Sequence, residues 1–465
     1  MLEKFIQNRI AHALPFAPNQ GQQELLSLLS SFLINGTSSD STERKAFILR
    51  GYAGTGKTSI MAAVVKAMEE LRQPVVLLAP TGRAAKVLSR YASKAAYTIH
   101  KFIYRQRQLG IESFALSDNL RKHTLFIVDE ASMISGQRDN PTFGTGMLLD
   151  DLVSYVYSGE GCRLLLLGDD AQLPPVGSSL SPALDADYMA GYGLNVTTYT
   201  LTQVARQALD SGILQNATML REQLAAHTAA TEVWQESADF HELCGQDFLE
   251  QLERAYREVG DEETIILTRT NRRTNLYNQG IRTRILWKED EISTGDRLMV
   301  SKNNYFWTAQ YDNLPFLANG DIFSIQRLRN TREIYGFRFA DASLHALDYD
   351  WEIDAVLWLD TLTTDSPEAN YELQKTLFAR IAEDYPELQH NRKKLTETIY
   401  QSPYYNALQV RFAYAVTCHK AQGGQWKRVF IDRGNVPDEQ RDQNYTRWLY
   451  TAITRATEQV FLLKR

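Results

Sequence analysis

The chain has 465 residues, of which 44% are hydrophobic and 23% are charged, and its formal net charge is −6. This length predicts two or three domains that each bury a core, and the acidic balance argues against a surface that is basic all over, although not against a basic cleft. The three cysteines have no C-x-x-C or zinc spacing, the N-terminus lacks a signal-peptide pattern, and no apolar run approaches about 18 residues. We therefore expect a cytoplasmic protein that does not enter a membrane.

The first informative stretch is AFILRGYAGTGKTSI, at 46–60. The apolar run 46–49 predicts a buried strand, and the apolar spacing over 60–71 predicts a helix. The glycine-rich loop between them has the G-x-x-x-x-G-K-[ST] pattern, whose backbone N–H groups and helix N-terminus bind phosphate. We expect Lys57 to reach the β- and γ-phosphates of ATP and Thr58 to hold Mg²⁺. The residues expected at this part of the nucleotide site are Gly51, Ala53, Gly54, Thr55, Gly56, Lys57 and Thr58.

Three further apolar runs follow along the chain, at 74–79, 125–128 and 163–167. Each run is apolar on both faces and is followed by polar residues at its C-terminal end. This pattern is typical of a parallel sheet between helices, with the ligand at the carboxyl edge of the strands. The sequence therefore predicts an α/β fold.

Polar residues that could carry out chemistry follow two of these runs. Asp129 and Glu130 come directly after 125–128. Beside a phosphate loop, the two carboxylates of such a pair can have different catalytic roles. Asp129 would coordinate Mg²⁺ and Glu130 would polarise the attacking water. Gln172, in GDDAQLPP, could sense the γ-phosphate or orient the water. The alternatives are solvated surface for the acidic pair and a loop-capping role for the glutamine.

Eight segments resemble the motifs of superfamily 1 helicases, and within them those of the 5′→3′ branch typified by RecD and Dda. They occur in the order found in that family and are GYAGTGKT (51–58), APTGRAA (79–85), TIHKF (98–102), VDEAS (128–132), GDDAQLPPVG (168–177), LTQVARQ (201–207), VTCHKAQGGQW (416–426) and LYTAITRA (449–456). The resemblance implies two RecA-like P-loop NTPase lobes, with ATP in the cleft and single-stranded DNA across both. It also implies a monomeric motor that acts on a duplex with a 5′ single-stranded tail, although RNA is not excluded as the track.

The same resemblance predicts a domain division. The first lobe is expected at 1–198, with a short hairpin insertion at about 103–122, and the second lobe at 199–288 and 406–465. The intervening residues 289–405 are expected to form an SH3-like barrel with a helical addendum. Within them, alternating patterns predict strands at 295–300, 319–328, 333–339 and 351–360. The segment 366–368 (Ser-Pro-Glu) predicts a helix start, and helical patterns follow at 371–384 and 386–401. The segment that leads into these helices is rich in acidic residues, which argues against phosphate binding by the helices. No function is predicted for them.

The resemblance also assigns residues around the nucleotide. Gln22 would contact the adenine edge, although a plain amphipathic helix also explains it. Arg206 and Arg455 would approach the γ-phosphate, where a planar guanidinium suits charge spread over phosphoryl oxygens. The family's fifth motif commonly ends in an acid at the ribose, whereas this chain has Gly424 and Gln425 there. The ribose preference is therefore open, while the expected catalytic residues are Lys57, Glu130, Gln172, Arg206 and Arg455.

Contacts to the nucleic acid follow from the resemblance in the same way. The expected residues are Thr81, Gly82, Arg83, Thr98, His100, Asn271, Thr417, His419 and Lys420. Hydroxyl groups, backbone N–H groups and imidazoles can bind phosphate without reading bases, but turn capping is an alternative for each. The segment 264–288 carries six basic residues and no acid, which fits a groove along a strand or a solvated helix face.

Two functions remain open from the sequence. The first is a helicase that separates strands, and the second is an ATP-gated translocase or binding protein that does not. A P-loop enzyme acting on a small molecule is disfavoured, because such enzymes lack the segments at 79–102 and 416–426.

Overall fold

The structure, a computed structural model, describes residues 2–34, 44–106, 114–138, 143–178, 180–204, 210–228, 233–308, 316–348 and 351–464. The chain divides into two compact units. Unit 1 comprises 1–105, 113–245 and 421–465, and unit 2 comprises 106–112 and 246–420. The predicted domain boundaries at 198, 288 and 405 stay a prediction.

The helices and strands are numbered in chain order. The helices are α1 (Leu2–Ala13), α2 (Gln20–Ile34), α3 (Lys57–Glu70), α4 (Gly82–Ala92), α5 (Ile99–Ile103), α6 (Leu148–Ser158), α7 (Ala186–Ala190), α8 (Gly212–Ala225), α9 (Gly245–Val259), α10 (Asn271–Arg284), α11 (Pro367–Ala382), α12 (Arg392–Ile399) and α13 (Gln443–Ile453). The strands are β1 (Lys45–Gly51), β2 (Val75–Ala79), β3 (Ala96–Thr98), β4 (Tyr104–Gln106), β5 (Phe114–Leu116), β6 (Leu125–Val128), β7 (Arg163–Gly168), β8 (Asn195–Leu201), β9 (Phe240–Leu243), β10 (Thr264–Thr268), β11 (Arg297–Val300), β12 (Ile322–Ile334), β13 (Phe337–Ala346), β14 (Glu352–Trp358), β15 (Leu408–Phe412), β16 (Ala415–Thr417), β17 (Trp426–Asp432) and β18 (Ala456–Leu463).

Unit 1 contains a six-stranded sheet in the order β3-β2-β6-β7-β1-β8. All five strand pairs of this sheet are parallel. Strands β2, β6 and β7 are buried along their whole length, and α1, α2 and α3 pack over the sheet in one apolar core. The four predicted strands are confirmed, and their carboxyl ends place the phosphate loop and the acidic pair at one edge.

The other strands of unit 1 belong to smaller groups of paired strands. Strands β17, β18 and β9 form consecutive parallel pairs. Strands β4 and β5 form a two-stranded sheet in the segment where a short hairpin is predicted, and residues 107–113 between them lie outside the described residues.

Unit 2 contains the parallel pair β10 and β16 and a closed barrel of β11-β12-β13-β14-β15. The closed barrel agrees with the predicted SH3-like insertion, and its fifth strand, β15, follows the helices α11 and α12. Segment 333–339, predicted as one strand, is a hairpin: 333–334 end β12, 335–336 form the turn and 337–339 begin β13. Tyr335 and Gly336 there have φ of 57° and 68°, and two consecutive positive φ values make a tight two-residue hairpin turn.

The first helix of the helical addendum begins where the sequence predicts a helix start, whereas the second helix differs from its prediction. Helix α11 begins at Pro367, because the Ser366 hydroxyl accepts a hydrogen bond from the Ala369 N–H at 3.2 Å and caps it. The second predicted helix, 386–401, is split into a short 3₁₀ turn, Pro386–Leu388, and α12. Asn391 caps α12 through the Lys394 N–H at 3.1 Å, so its side chain favours a new helix start over a continuous helix.

Within the described residues, none of the helices combines the length and the apolar character that a membrane span requires.

Candidate nucleotide site and nucleic-acid interface

The phosphate loop connects β1 to α3 at the carboxyl edge of the six-stranded sheet. Gly54 and Gly56 have φ of 74° and 89°, a left-handed conformation that favours glycine and turns the loop back on itself. A Cβ on Gly51 would lie 2.9 Å from side-chain carbons of Lys57, so this glycine permits the lysine to lie against the loop. The Lys57 ammonium donates to the carbonyl oxygens of Tyr52, at 2.9 Å, and of Gly51. A phosphate oxygen would replace neutral partners with a charged one, which makes a stronger hydrogen bond.

The two threonines of the loop differ in their positions. Thr55 is fully buried, and its hydroxyl donates to the Tyr52 carbonyl at 2.8 Å. Thr58 lies in the first turn of α3, where the positive end of the helix dipole favours an anion.

Gln22, predicted to contact adenine, lies in α2 beside the phosphate loop. It is 1% exposed, and its Nε2 donates to the Thr55 carbonyl at 3.0 Å. Its Oε1 accepts from the Asn19 N–H at 3.0 Å. The structure therefore places Gln22 at the loop, with both ends of its amide bonded to the backbone, and its contact to adenine stays a prediction.

The acidic pair at the end of β6 meets Arg455. The Arg455 Nη1 lies 3.6 Å from Glu130 Oε1, and Glu130 itself has a positive φ of 52°, a conformation that costs free energy outside glycine. Burial, and next the neighbouring Glu130 carboxylate, raise the pKa of Asp129, while Lys57 and Arg455 oppose that rise. The structure thus brings Arg455, the arginine predicted to approach the γ-phosphate, close to the acidic pair Asp129 and Glu130.

Arg455 is 4% exposed and held by several oxygens. Its Nε donates to the Thr451 carbonyl at 3.1 Å, and its Nη1 donates to the Gly424 carbonyl at 3.4 Å. These bonds fix the guanidinium in the buried site next to Glu130. Arg206, the second predicted arginine, lies outside the described residues.

Sequence reasoning missed Tyr450, although it lies in the segment LYTAITRA. Its hydroxyl accepts from the Ala53 N–H of the phosphate loop at 2.9 Å and donates to Asp169 Oδ2 at 2.7 Å. Burial raises the pKa of Asp169, and the charge of Lys57 and the donation from Tyr450 oppose that rise. The first aspartate of GDDAQ, Asp169, is therefore connected to the phosphate loop through one hydroxyl group of α13.

Gln172 is 6% exposed, and its Oε1 has no hydrogen-bond partner among the described residues. Its backbone carbonyl accepts from Arg447 at 3.4 Å, and the next residue, Leu173, donates its N–H to the Thr451 hydroxyl at 2.8 Å. A buried acceptor without a partner costs free energy unless a ligand or water satisfies it, which suits the predicted role of Gln172 in orienting water.

Gly424 and Gln425 lie close to helix α4 within unit 1. The Gln425 carbonyl accepts from Arg83 at 3.3 Å, and its Oε1 accepts from the Tyr91 hydroxyl at 3.4 Å. The Arg83 guanidinium also lies 4.3 Å from the centre of a Trp426 ring. Arg83, predicted to contact DNA, therefore connects α4 to the segment 423–426.

Four other predicted DNA contacts lie in unit 1 at the starts of helices. The hydroxyl groups of Thr81 and Thr98 cap α4 and α5, each accepting a backbone N–H at 3.2 Å, and Gly82 is the first residue of α4. The capping alternative thus holds for both threonines, whose hydroxyl hydrogens can still donate. His100 packs edge-on against Phe143 at 5.0 Å, and burial lowers its pKa to about 4, so it is neutral at pH 7.

The predicted contacts of unit 2 lie on β16, the residues after it and α10. Thr417 ends β16, and His419 and Lys420 follow it with exposed side chains. Burial of part of each side chain lowers the pKa of both, that of Lys420 to about 8 with a further contribution from Arg411. Asn271 instead donates its amide to the Asp365 carbonyl at 3.0 Å, so that amide holds the chain before α11.

The site fits a magnesium nucleotide. The Thr58 hydroxyl and the Asp129 carboxylate are hard oxygen donors, which Mg²⁺ prefers, and a cation would relieve the repulsion between Asp129 and Glu130. Within the described ranges, no three His, Cys, Asp or Glu side chains form a metal cage. Mg²⁺ in ATP sites needs none, because it keeps several waters and shares the phosphates of the substrate.

Comparisons with known proteins match two parts of the chain. Residues 39–243 match a family model described as an AAA domain, and residues 412–463 match the UvrD-like helicase C-terminal domain. The first match contains the phosphate loop, the acidic pair and Gln172, and the second contains Gly424, Gln425, Tyr450 and Arg455.

Three curated relatives are similar to this chain over different lengths. The ATP-dependent DNA helicase dda of enterobacteria phage T4 is 23% identical over 433 residues, which cover 89% of this chain and 93% of that protein. The ATP-dependent RecD2 DNA helicase of Deinococcus radiodurans is 36% identical over 170 residues, 37% of this chain and only 21% of that protein. Uncharacterized protein R530 of Acanthamoeba polyphaga mimivirus is 24% identical over 515 residues, 95% of this chain and 99% of that protein.

Proposed function

Since the chain belongs to the RecD/Dda-like helicases of superfamily 1B, we propose that it hydrolyses ATP to move 5′→3′ along single-stranded DNA and to separate a duplex ahead of it. The observation that supports this most strongly is the link between the phosphate loop and α13. Tyr450 bonds to Ala53, and Arg455 lies 3.6 Å from Glu130. A change at the γ-phosphate would therefore act directly on the C-terminal segment of the chain.

The residues would divide the chemistry as follows. Lys57 and the N-terminus of α3 bind the phosphates, Thr58 and Asp129 hold Mg²⁺, and Glu130 takes a proton from the attacking water. Bound Mg²⁺ supplies charge neutralisation of the phosphoryl oxygens. Arg455, whose Nη1 lies 3.6 Å from Glu130, would present its guanidinium to the charge that develops on the γ-phosphoryl oxygens, where such a group is worth several orders of magnitude in rate.

The stepping cycle rests on the two-lobe division proposed from the sequence, 1–198 against 199–288 with 406–465. ATP binding would draw the lobes together and shorten the distance between two grips on the strand, and hydrolysis would release them. The grips are mainly on phosphates, so binding should weaken steeply as salt rises. The 5′→3′ direction rests on the family resemblance alone.

Unwinding of tailed duplexes tests the proposal. Two duplexes with the same paired sequence, one with a 5′ tail and one with a 3′ tail, are incubated with the protein, ATP and Mg²⁺. We expect displacement of the 5′-tailed duplex and none without ATP. Preference for the 3′ tail would contradict the direction, and a matched RNA tail shows whether the track must be DNA.

A translocase or clamp that does not separate strands is the second candidate. The segment 103–122, where the family often has a strand-splitting pin, is only about twenty residues long, which favours this candidate over a wedge. ATP hydrolysis stimulated by single-stranded DNA without displacement of either duplex would support it.

A further inference from the structure

Unit 2 contains a groove of about 340 Å³ that three different parts of the chain build. Strand β16 and the segments beside it supply one side, and the end of β11 with Ser301 and Lys302 supplies another. The third side is the first two turns of α11, with Asn370, Tyr371 and Gln374. This volume lies within the range of roughly 300–1,000 Å³ typical of sites that enclose small ligands, so the groove has room for a nucleotide.

The charge of the groove is positive. Its lining includes Lys302, Arg411 and Lys420 and contains no carboxylate among the described residues. Asp365, whose charge acts on Arg411, has its own carboxylate engaged by the Asn275 amide at 2.7 Å. Three cations around a concave surface without a lining acid favour an anionic occupant.

Two donors in this groove lack partners. Arg411 Nε and Ser301 Oγ are buried atoms with no hydrogen-bond partner among the described residues. Burial also lowers the pKa of Arg411, because a desolvated charge is costly without a partner. A phosphate oxygen in the groove would satisfy such donors.

Helix α11 is a fixed wall of the groove. Its apolar residues Leu377 and Ile381 pack into a core with barrel residues that include Phe339 and Trp358. The segment before α11 is held by α10, since Asn275 donates its amide to the Thr363 carbonyl at 3.0 Å. Gln374 then accepts a hydrogen bond from Lys302 at 2.7 Å and joins the helix to the rim of the barrel.

Tyr371 lies in the lining of this groove and is 67% exposed. An exposed aromatic ring beside a cationic groove is how single-strand binding proteins hold bases, since every base presents a face on which a ring can stack. The acid-rich sequence around α11 argues against phosphate binding by the helix itself, but a stacking role needs no charge.

We propose that α11 is the base-stacking wall of a single-nucleotide subsite, in which Tyr371 stacks on a base of single-stranded DNA while Arg411 and Ser301 bind the adjoining phosphate. The inference rests on the proposed function and assigns a role to the helical addendum, for which the sequence suggests none.

Fluorescence anisotropy with a labelled oligothymidine tests the subsite. Tyr371→Ala should weaken binding by about five- to a hundredfold, the usual range for loss of one base–aromatic stack, and Tyr371→Phe should bind like the wild type. Tyr400→Ala serves as the matched control, because Tyr400 is a 45% exposed aromatic outside the groove lining.

Two further measurements separate stacking from charge. On an oligomer with abasic sites, Tyr371→Ala should bind no more weakly than the wild type, because the partner of the ring is gone. Arg411→Gln should flatten the dependence of log affinity on log salt by about 0.7, the value for one phosphate contact on a single strand, and Tyr371→Ala should leave that slope unchanged.

The outcomes distinguish the inference from the proposed function. If the wild type binds oligothymidine and Tyr371→Ala binds equally well, the stacking wall is wrong and the motor proposal stands. If the wild type does not bind single-stranded DNA at all, the proposed function itself fails.

Discussion

Substitution of Tyr450 by phenylalanine tests the link between the phosphate loop and the rest of unit 1. The change removes one hydroxyl group that accepts from the Ala53 N–H at 2.9 Å and donates to Asp169 at 2.7 Å. A neutral hydrogen bond contributes about 0.5–1.5 kcal/mol to stability and one to a charged group about 1.5–3 kcal/mol. We therefore expect Tyr450→Phe to lower the free energy of unfolding by roughly 2–4.5 kcal/mol. A loss of this size lowers the melting temperature of a lobe of this size by roughly 5–15 °C.

The pH dependence of that loss identifies its source. Burial raises the pKa of Asp169, and the Tyr450 hydroxyl stabilises the ionised form, so the variant should raise this pKa further. Once Asp169 is protonated, the donation from Tyr450 no longer matters. The difference in melting temperature between wild type and variant should thus be largest at a pH well above the raised pKa of Asp169 and shrink as the pH falls through that pKa.

Tyr157→Phe is the matched control for this substitution. Its hydroxyl donates to the Lys45 carbonyl at 2.7 Å, a neutral bond at the start of β1, so its loss should cost only about 0.5–1.5 kcal/mol at every pH. Thermal unfolding followed by circular dichroism compares the three proteins. If Tyr450→Phe and Tyr157→Phe lose equal stability with equal pH dependence, the proposed link through Asp169 is wrong.

Two more predictions concern the chemistry and the grip on DNA. Glu130→Gln should reduce ATP turnover at least about a hundredfold while it keeps affinity for a fluorescent ATP analogue, since Asp129 and Thr58 still hold Mg²⁺; an equal loss of affinity would show that the division of roles is wrong. The pKa of Lys420 is lowered to about 8, so its positive charge disappears as the pH rises through 8 and affinity for single-stranded DNA should fall between pH 7 and 9. Lys420→Arg keeps its charge over this range and should lose less affinity, and identical profiles for the two proteins would exclude a contribution of this charge.

The nucleotide site could be predicted from the sequence because its signals are local. A buried strand, a glycine loop and a helix follow one another around Lys57, and Asp129 and Glu130 come directly after another strand. The contacts that complete the site are not local. Tyr450 and Ala53 are 397 positions apart, and no pattern around either residue indicates their hydrogen bond.

The predictions that failed or stayed incomplete have physical causes. The edge strand β8 reads NVTTYTL, half-exposed and rich in threonine, so it forms no apolar run that would predict a buried strand. The segment 333–339 contains a turn that depends on Gly336 and on a positive φ at Tyr335, which nothing in the strand pattern indicates. Asn271 lies in a basic stretch typical of a DNA groove, and its amide bonds to the Asp365 carbonyl before α11, a tertiary contact that no local pattern indicates; its contact to DNA stays a prediction.

The most direct test of the central claim is the rate of ATP hydrolysis with and without single-stranded DNA. In the wild type we expect DNA to raise the rate about tenfold or more, because the strand and the nucleotide would act on the same lobe closure. Lys57→Ala should lower the stimulated rate at least about a hundredfold, whereas Lys66→Ala, an exposed lysine on the same helix α3, should behave like the wild type. An equal rate with and without DNA, or a Lys57→Ala variant as active as the wild type, would contradict an ATP-driven motor on nucleic acid.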